Sequence, residues 1–564
     1  MFPIYPYINV NDLNLDYLLR TIKALEVEVK NFVNFNTIKY ADPLEWNITT
    51  QYQGNTVVID NVNHIAYLST QPVPAGVLLT DTDYWTPILD LRLFYDSIGD
   101  LSELDTTAKD TLVNAINEVF TNLQEMIDTR AYVTPEMFGA KGDGIEDDTA
   151  AVQAAINSGK PVHIGAEYLV VASDASPWHH GLTLKDNTTI FGLGTIKLAP
   201  NNYDNYDILL IEGVANVSIK GVTLLGERTE HTGASGEWGF GINILNSKNV
   251  NIEDVKINNC WGDGIILRGD ATPVNNENIT IENCHVYENR RNNISVTSGK
   301  NVIIDGCVIE HANGTAPEQG IDIETDYPAT QEIDGVTITG CIFNDNPNGG
   351  VAINHFEEGT TKNIIIDGNV FNGPKGVNVY VNRIDREGER DIITNNTFTC
   401  DTFAIGGTYA NSIVKSNYIK AVSISGSAVD LSGQYAEASE NTFTGSASVF
   451  IKITARSIAQ GNKFLNCSGT TGIEGDSYDQ IKDNTFDQPK ITNLFKLFGT
   501  TKVVIMNNSN ESYSAADVQF VISLNTGVTS SDEVISFNSF RYSNSISDGT
   551  ITHHANILNG TYSA

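Results

Sequence analysis

One recurring column of residues runs through more than half of the chain and limits what it can fold into. Aligning NVSIKGVTL, NITIENCHV, NVIIDGCVI, GVTITGCIF, NIIIDGNVF and the later ENTF, GNKF and DNTF puts Val222, Val255, Cys284, Cys307, Cys341, Asn369, Asn396, Asn417, Asn441, Asn462, Asn484, Asn508 and Asn538 in register. Two residues on, Phe343, Phe371, Phe398, Phe443, Phe464, Phe486 and Phe540 form a second column. The unit returns every 21 to 34 residues, the spacing of a solenoid. Coils stacked about 4.8 Å apart set like residues above one another, so amides ladder at a turn and phenyl rings stack inside. Apolar and polar residues alternate within strands, Ile364 and Ile366 against Ile365 and Asp367, which gives one inward face. A dozen or more coils are expected, roughly 60 Å of stack at that spacing.

A chain of 564 residues is too long for one ordinary core, which agrees with a repeat architecture. Its 69 acidic and 34 basic residues leave a formal charge of −35, which repels a phosphate backbone and an anionic bilayer. Neither nucleic acid nor membrane is therefore an expected partner. Cys260, Cys284, Cys307, Cys341, Cys400 and Cys467 show no CxxC pair and no metal-type spacing, and read as reduced structural thiols. The start MFPIYPYINV has no basic stretch leading into an apolar one, so no signal peptide is expected. No apolar run reaches the length of about 18 residues that a membrane span needs.

Ahead of the repeats the texture changes three times. Leu15, Leu18, Ile22, Leu25, Val29 and Phe32 step by three and four, which predicts a helix over residues 1–40, either a short coiled coil or one packed on a neighbour. Residues 41–98 alternate in short stretches broken by glycine and proline, the pattern of a small β domain. Its Trp46, Tyr52, Tyr67, Tyr84 and Trp85 are sugar-stacking candidates, with a role in the domain core preferred. Leu112, Ile116, Val119, Leu123 and Met126 predict a helical stalk over 99–130.

The most specific local motif is MFGAKGDGIEDDTAAVQAAINSGKPVHIGAEYLV, residues 137–170. Gly139, Gly142 and Gly144 make a tight turn, and Asp147 or Asp148 caps a helix whose apolar face carries Ala151, Ala154, Ala155 and Ile156. Asp143, Asp147 and Asp148 read as turn and cap residues in preference to a cation site. This stretch resembles the opening motif of the pectate-lyase-like β-helix family of phage tailspikes and bacterial polysaccharide-acting proteins. The resemblance, with the repeats, implies an opening turn and cap helix at 131–160, a right-handed parallel β-helix over 161–545 and a short C-terminal tip at 546–564. It is similar over residues 1–130 to the virion-attachment parts of phage appendages, which implies tail or connector proteins as partners and a virion location after synthesis in the host cytoplasm, while the resemblance to tailspikes implies a homotrimer.

Function on such a stack is expected where long turns interrupt the ladder, and residues 226–360 have them. Aligning GDGIILRGD, RNNISVTSG, EQGIDIETD, NGGVAINHF and PKGVNVYVN gives one outward column of Ile266, Ser295, Asp322, Ala352 and Asn378. The next holds Arg268, Thr297, Glu324, Asn354 and Tyr380. Asp322 and Glu324 then share a face about 6.5 to 7 Å apart, a separation used by carboxylates that hydrolyse a glycosidic bond with inversion. With Glu318 and Asp326 in the same nine residues, mutual repulsion raises one pKa and keeps that group protonated as the acid, and Asp263 projects from a turn two coils earlier. Asp322, Glu324, Glu318 and Asp263 are thus the catalytic candidates. Arg268, His285, Arg290, Arg291, His311 and His355 are candidates for steering substrate, and Trp238, Trp261, Asp326, Tyr327 and Tyr380 for contacting it. The histidines lack HxH or HExxH company, so no metal or other cofactor is expected.

Three activities fit this reading. The first is an endo-acting glycoside hydrolase that depolymerises a capsular or wall polysaccharide. The second is a polysaccharide lyase, which needs a base and cations to neutralise a uronate, and the outward columns show no lysine and arginine cluster. The third is a receptor-binding spike without chemistry, with attack on wall teichoic acid as a variant. Beyond Asp401 the repeat becomes regular and poor in charge clusters, which predicts a structural shaft.

Overall fold

The computed structural model describes residues 44–63, 65–90, 107, 114, 116–119, 121, 131–173, 177–355, 360–381, 391–407, 411–498 and 503–511, and after these only strand backbones. The helix expected over Leu15–Phe32 lies outside the described residues. Of the stalk, positions 114, 116–119 and 121 are helical, while Leu112, Leu123 and Met126 lie outside. The chain divides into two compact units, Met1–Ala131 and Tyr132–Ala564. Among the described residues no helix is long and apolar enough to cross a membrane.

In the first unit, strands Leu44–Glu45, Val57–Asp60, Ile65–Ser69 and Trp85–Asp90 form one sheet in chain order. Tyr52, Val58, Val73, Leu79 and Trp85 make its core, and Trp46, Tyr67 and Tyr84 pack against them. All five aromatics noted in this segment are thereby engaged in packing. Tyr52 meets Trp85 edge to face at 5.5 Å, a favourable ring geometry.

The second unit opens on the Gly-rich turn. Gly139 takes φ 99° and Gly142 φ 64°, backbone values that a side chain resists. Asp148 precedes the helix Thr149–Asn157 but makes no side-chain cap bond. Its carboxylate instead accepts from Lys141 N (2.7 Å) and Gly142 N (3.0 Å), tying the turn down. Asp147 accepts from Thr149 N at 3.0 Å. The helix buries Ala151, Val152, Ala155 and Ile156, so Val152 takes the place expected of Ala154.

Parallel coils follow, with sixteen strands in one sheet from Val162–Ile164 to Thr552–His554. Each regular coil adds a strand to that sheet, turns at the column residue, adds a short strand, and then adds a third strand that faces outward on one side. From Asn369 to Asn508 the column is a closed amide ladder. Asn441 Oδ1 accepts from Asn417 N and Nδ2 at 3.0 Å each, and Asn441 Nδ2 donates to Val414 O and Asn462 Oδ1. Every amide donor and acceptor is thus satisfied in a buried turn. Asn538 lies outside the described residues. Behind the ladder, Phe343, Phe371 and Phe398 stack 4.6 and 4.7 Å apart, and Phe443, Phe464 and Phe486 stack 5.1 and 4.3 Å apart. Ile419 sits between the two phenyl stacks and Asn510 follows them. The six cysteines are buried free thiols.

The connection between the short strand and the outward strand tapers along the chain. It spans 226–237, 259–264, 288–293, 311–318, 345–348 and 373–374 in successive coils. Further on the two strands fuse into Tyr418–Leu431, Thr442–Ile453 and Lys463–Gly475. Long connections wall one stretch of the outward face.

Candidate functional site

The walled stretch is a groove whose floor follows the backbone register. Strand pairing sets Asn243, Ile266, Ser295, Asp322, Ala352 and Asn378 in one outward line. Glu324, Asn354 and Tyr380 align beside it. The inward partners Ile265, Ile294, Ile321, Val351 and Val377 are fully buried, so register is pinned and the outward side chains have no other way to face.

Two hollows meet on this floor. The larger, about 600 Å³, is lined by Trp178, Trp238, Phe240, Arg268, Arg291 and Tyr327 among others. The smaller, about 220 Å³, is lined by Pro317, Gln319, Asn348, Ala352, Asn354 and Lys375. Asp322 and Glu324 line both. Asn354 Nδ2 lies 3.4 Å from Asp322 Oδ1 and 3.3 Å from Glu324 Oε2, bridging the pair.

The two carboxyls have unlike surroundings. Asp322 is 5% exposed, and burial, then the neighbouring Glu324, push its pKa up to about 7 despite the pull of Arg291. Asn292 Nδ2 donates to its Oδ2 at 3.2 Å. Glu324 is also raised, by burial and then by Asp326, but stands more open to solvent. Asp263 is buried beneath the floor, bound by Arg291 Nη1 at 3.0 Å, Ser295 Oγ at 2.8 Å and Asn292 N at 3.0 Å. Its carboxylate therefore holds Arg291, Ser295 and Asn292, the last of which orients Asp322.

At the aromatic end, Arg268 lies 4.3 Å from the ring centre of Trp178, whose ring in turn faces Trp238 at 6.2 Å. Trp238 is 47% exposed and Tyr327 42% exposed, so both present ring surface to solvent. Asp326 stands exposed at the rim. Two arginines thus line the groove where the sequence columns held one, because Arg291 reaches in from a loop.

Other expected contacts stand elsewhere. Trp261 is sandwiched between His231 (4.0 Å) and Arg290 (3.8 Å) and donates its indole N–H to Ser235 O, so it fastens the 226–237 loop. Arg290 also donates to Gly236 O, and Arg228 reaches Asn313. Glu227 anchors the root of that loop: burial pushes its pKa up to about 8, and it bonds Tyr206, Asn201 and His231. Glu318 accepts from Gly314 N (2.7 Å) and Asn348 (3.3 Å), shaping its own turn. His355 is buried between Thr361 O and Asp391 (2.9 Å). His285 pairs with Glu310 at 2.9 Å on the short-strand side, and His311 faces Asp345. The side chain of Tyr380 lies outside the described residues. Among those residues no group of three or more His, Cys, Asp or Glu is arranged to hold a metal ion.

Sequence reasoning missed Trp178, Lys375 and the part played by Asn354. Trp178 directly precedes the strand His179–Thr183, whose register against Asn205–Glu212 and then Trp238–Leu245 carries it to the Trp238 position two coils on. Extending the alignment upstream of GDGIILRGD by three coils finds it.

A family model described as right handed beta helix region matches residues 175–331 and 208–398. The pre-neck appendage protein of Bacillus phage phi29 is 28% identical over 217 residues, 34% of this chain and 24% of that protein. A capsule K30/K69-specific depolymerase of Klebsiella phage K64-1 is 27% identical over 307 residues, 50% of this chain and 36% of that protein. The match thus spans about a quarter to a third of each relative. The crystal structure of an N-terminal fragment of phi29 gene product 12 aligns with a TM-score of 0.55 at 16% identity, covering 78% of this chain and 87% of the other, a likeness of fold.

Proposed function

We propose that this chain, a right-handed parallel β-helix of the phage tail-appendage kind, is a virion-borne protein that binds a host surface glycan in the Asp322–Glu324 groove and cleaves it by hydrolysis. The single observation that carries the chemistry is that two hollows meet at this carboxyl pair. A polymer lying through both hollows has sugars on each side of the cleavage point, which favours internal cutting. Asp322, protonated up to about pH 7, donates a proton to the leaving oxygen. Glu324, the more open carboxylate, draws a proton from the attacking water. Trp238, Tyr327 and Trp178 offer rings for sugar faces, and Asn354 holds both carboxyls in place.

The likeness to a phage appendage protein and to a capsule depolymerase supports the assignment to a virion and to a glycan. Attachment to tail proteins through residues 1–130 and a homotrimeric assembly are part of the same reading. A lyase is the second reading: Asp263 pairs with Arg291, but Arg268, over the neutral Trp178 ring, keeps a charge that a uronate could meet, and the absorbance of the products separates the two.

The test incubates the full chain with capsular or wall glycan beside Asp322→Asn and Glu324→Gln, following polymer length by size-exclusion chromatography and ultraviolet absorbance. Shortening without new absorbance, lost in both variants, supports hydrolysis. New absorbance from an unsaturated end would establish a lyase. Binding with no shortening would leave a receptor-binding spike.

A further inference from the structure

The shaft carries an exposed cluster that the groove does not use. We propose that Tyr435, Arg456 and Tyr478 form a second glycan-binding ladder for an extended, anionic polysaccharide strand lying along the helix axis. These residues occupy equivalent turns of three successive coils, 21 and 22 residues apart. Tyr435 is 54% exposed and Tyr478 42% exposed, and Arg456 is exposed between them. Its guanidinium lies 5.9 and 5.2 Å from the two ring centres and donates to Tyr435 Oη at 2.9 Å.

Backbone conformation makes the choice of residues costly. Tyr435, Arg456 and Tyr478 have φ of 62°, 72° and 66°, the left-handed region, which disfavours a bulky side chain by roughly 1 kcal/mol each. Elsewhere this chain fills most such positions with asparagine or glycine. Three large side chains kept in strained, solvent-facing turns gain nothing from burial, so the strain points to function.

The turns are also bolted to one another. Ala436 N donates to Ser457 Oγ (3.1 Å), and Ser457 N donates to Asp479 Oδ1 (2.9 Å). Asp479, fully buried, accepts from Asp476 N through its other oxygen (2.6 Å). The three side chains are therefore held one coil apart, about 4.8 Å. That step is close to the rise of one sugar in an extended polysaccharide. The exposed ring edges and hydroxyls of Tyr435 and Tyr478 then meet alternate sugars, and Arg456, held between the rings, meets an acidic group on the sugar between them. The ladder lies on the edge that follows the outward strands, the same edge that carries Tyr327 beside the groove.

The test measures binding by calorimetry in the full-length Asp322→Asn chain, with oligogalacturonate as the acidic probe and a cello-oligosaccharide as the neutral one. Arg456→Gln and the pair Tyr435→Ala with Tyr478→Ala each weaken oligogalacturonate binding about tenfold on the proposal. Tryptophan fluorescence separates the sites, because the ladder contains no tryptophan and the groove holds Trp178 and Trp238. Absence of binding, equal affinity for the neutral probe, or unchanged affinity in the variants overturns it. So does dissociation of an assembly in the variants, read by sedimentation, which would make the patch a contact between copies. The outcome does not depend on whether the groove cleaves.

Discussion

The coils of the groove and the coils of the shaft follow one backbone plan and differ in what fills its column turn and its outward floor. In the shaft, the polar column is the asparagine turn, where every amide group is paired and the outward strand runs straight on from the short one. In the groove coils that column holds Val255, Cys284, Cys307 and Cys341, which make no amide ladder. On their outward floor they bury Asp263, Asn292, Ser295 and Asp322, beside long connections. A paired amide stabilises the stack. A buried carboxyl with a raised pKa costs stability and supplies a proton donor.

The sharpest way to break this contrast is at Asp322. Asp322→Asn keeps the shape and removes the acid, its one oxygen accepting from Asn292 or Asn354 but not both, so cleavage falls by about 10²- to 10⁴-fold while thermal unfolding changes little. An initial-rate assay beside calorimetric unfolding reads both. Next in size is Asn441→Ala. It strands Asn417 N and Nδ2 and Val414 O in a buried turn, a loss of about 2–4 kcal/mol seen in denaturant titration, with cleavage intact. Cys307→Ala, in the same column of the groove coils, costs less because it removes only a weak thiol contact.

Trp238→Ala sharpens the account of the aromatic end. Losing one exposed ring raises KM for polymer about tenfold with kcat little changed, measured by steady-state kinetics. The smallest effect is on pH dependence. Asp322 and Asp479 are both pushed from an ordinary 3.8 to about 7 by burial, one in each region. The folded chain therefore binds more protons than the unfolded chain between those values, and stability falls as pH rises through that window. Asp322→Asn and Asp479→Asn each flatten that fall when midpoints of unfolding are compared across it, while the parent and Asp479→Asn lose activity alike above about pH 7.

Stacking is the reason so much was legible from residues alone. A solenoid converts sequence period into vertical position, so the Cys and Asn column and the Phe column are read directly as neighbours in space. Period-two alternation then sets Asp322 and Glu324 on one face before any coordinates are known. Legibility stops at the connections. Trp261 looks like a sugar platform until the 226–237 loop folds over it, and His355 looks like a loop histidine until Asp391, one coil on, meets it. Trp178 was missed because its coil lacks the column residue that anchors the alignment. Asp147 and Asp148 are both plausible caps in sequence, and only the folded turn shows Asp148 bonding back to Lys141 and Gly142.

The most direct measurement sets Asp322→Asn beside Asn441→Ala, following polymer length and unfolding free energy on the same preparations of full-length protein. A crossed result is expected: Asp322→Asn near parent stability and inactive, Asn441→Ala active and destabilised by about 2–4 kcal/mol. An Asp322→Asn chain that still shortens the glycan at the parent rate would contradict it, and the groove carboxyls would then be surface chemistry without a catalytic role.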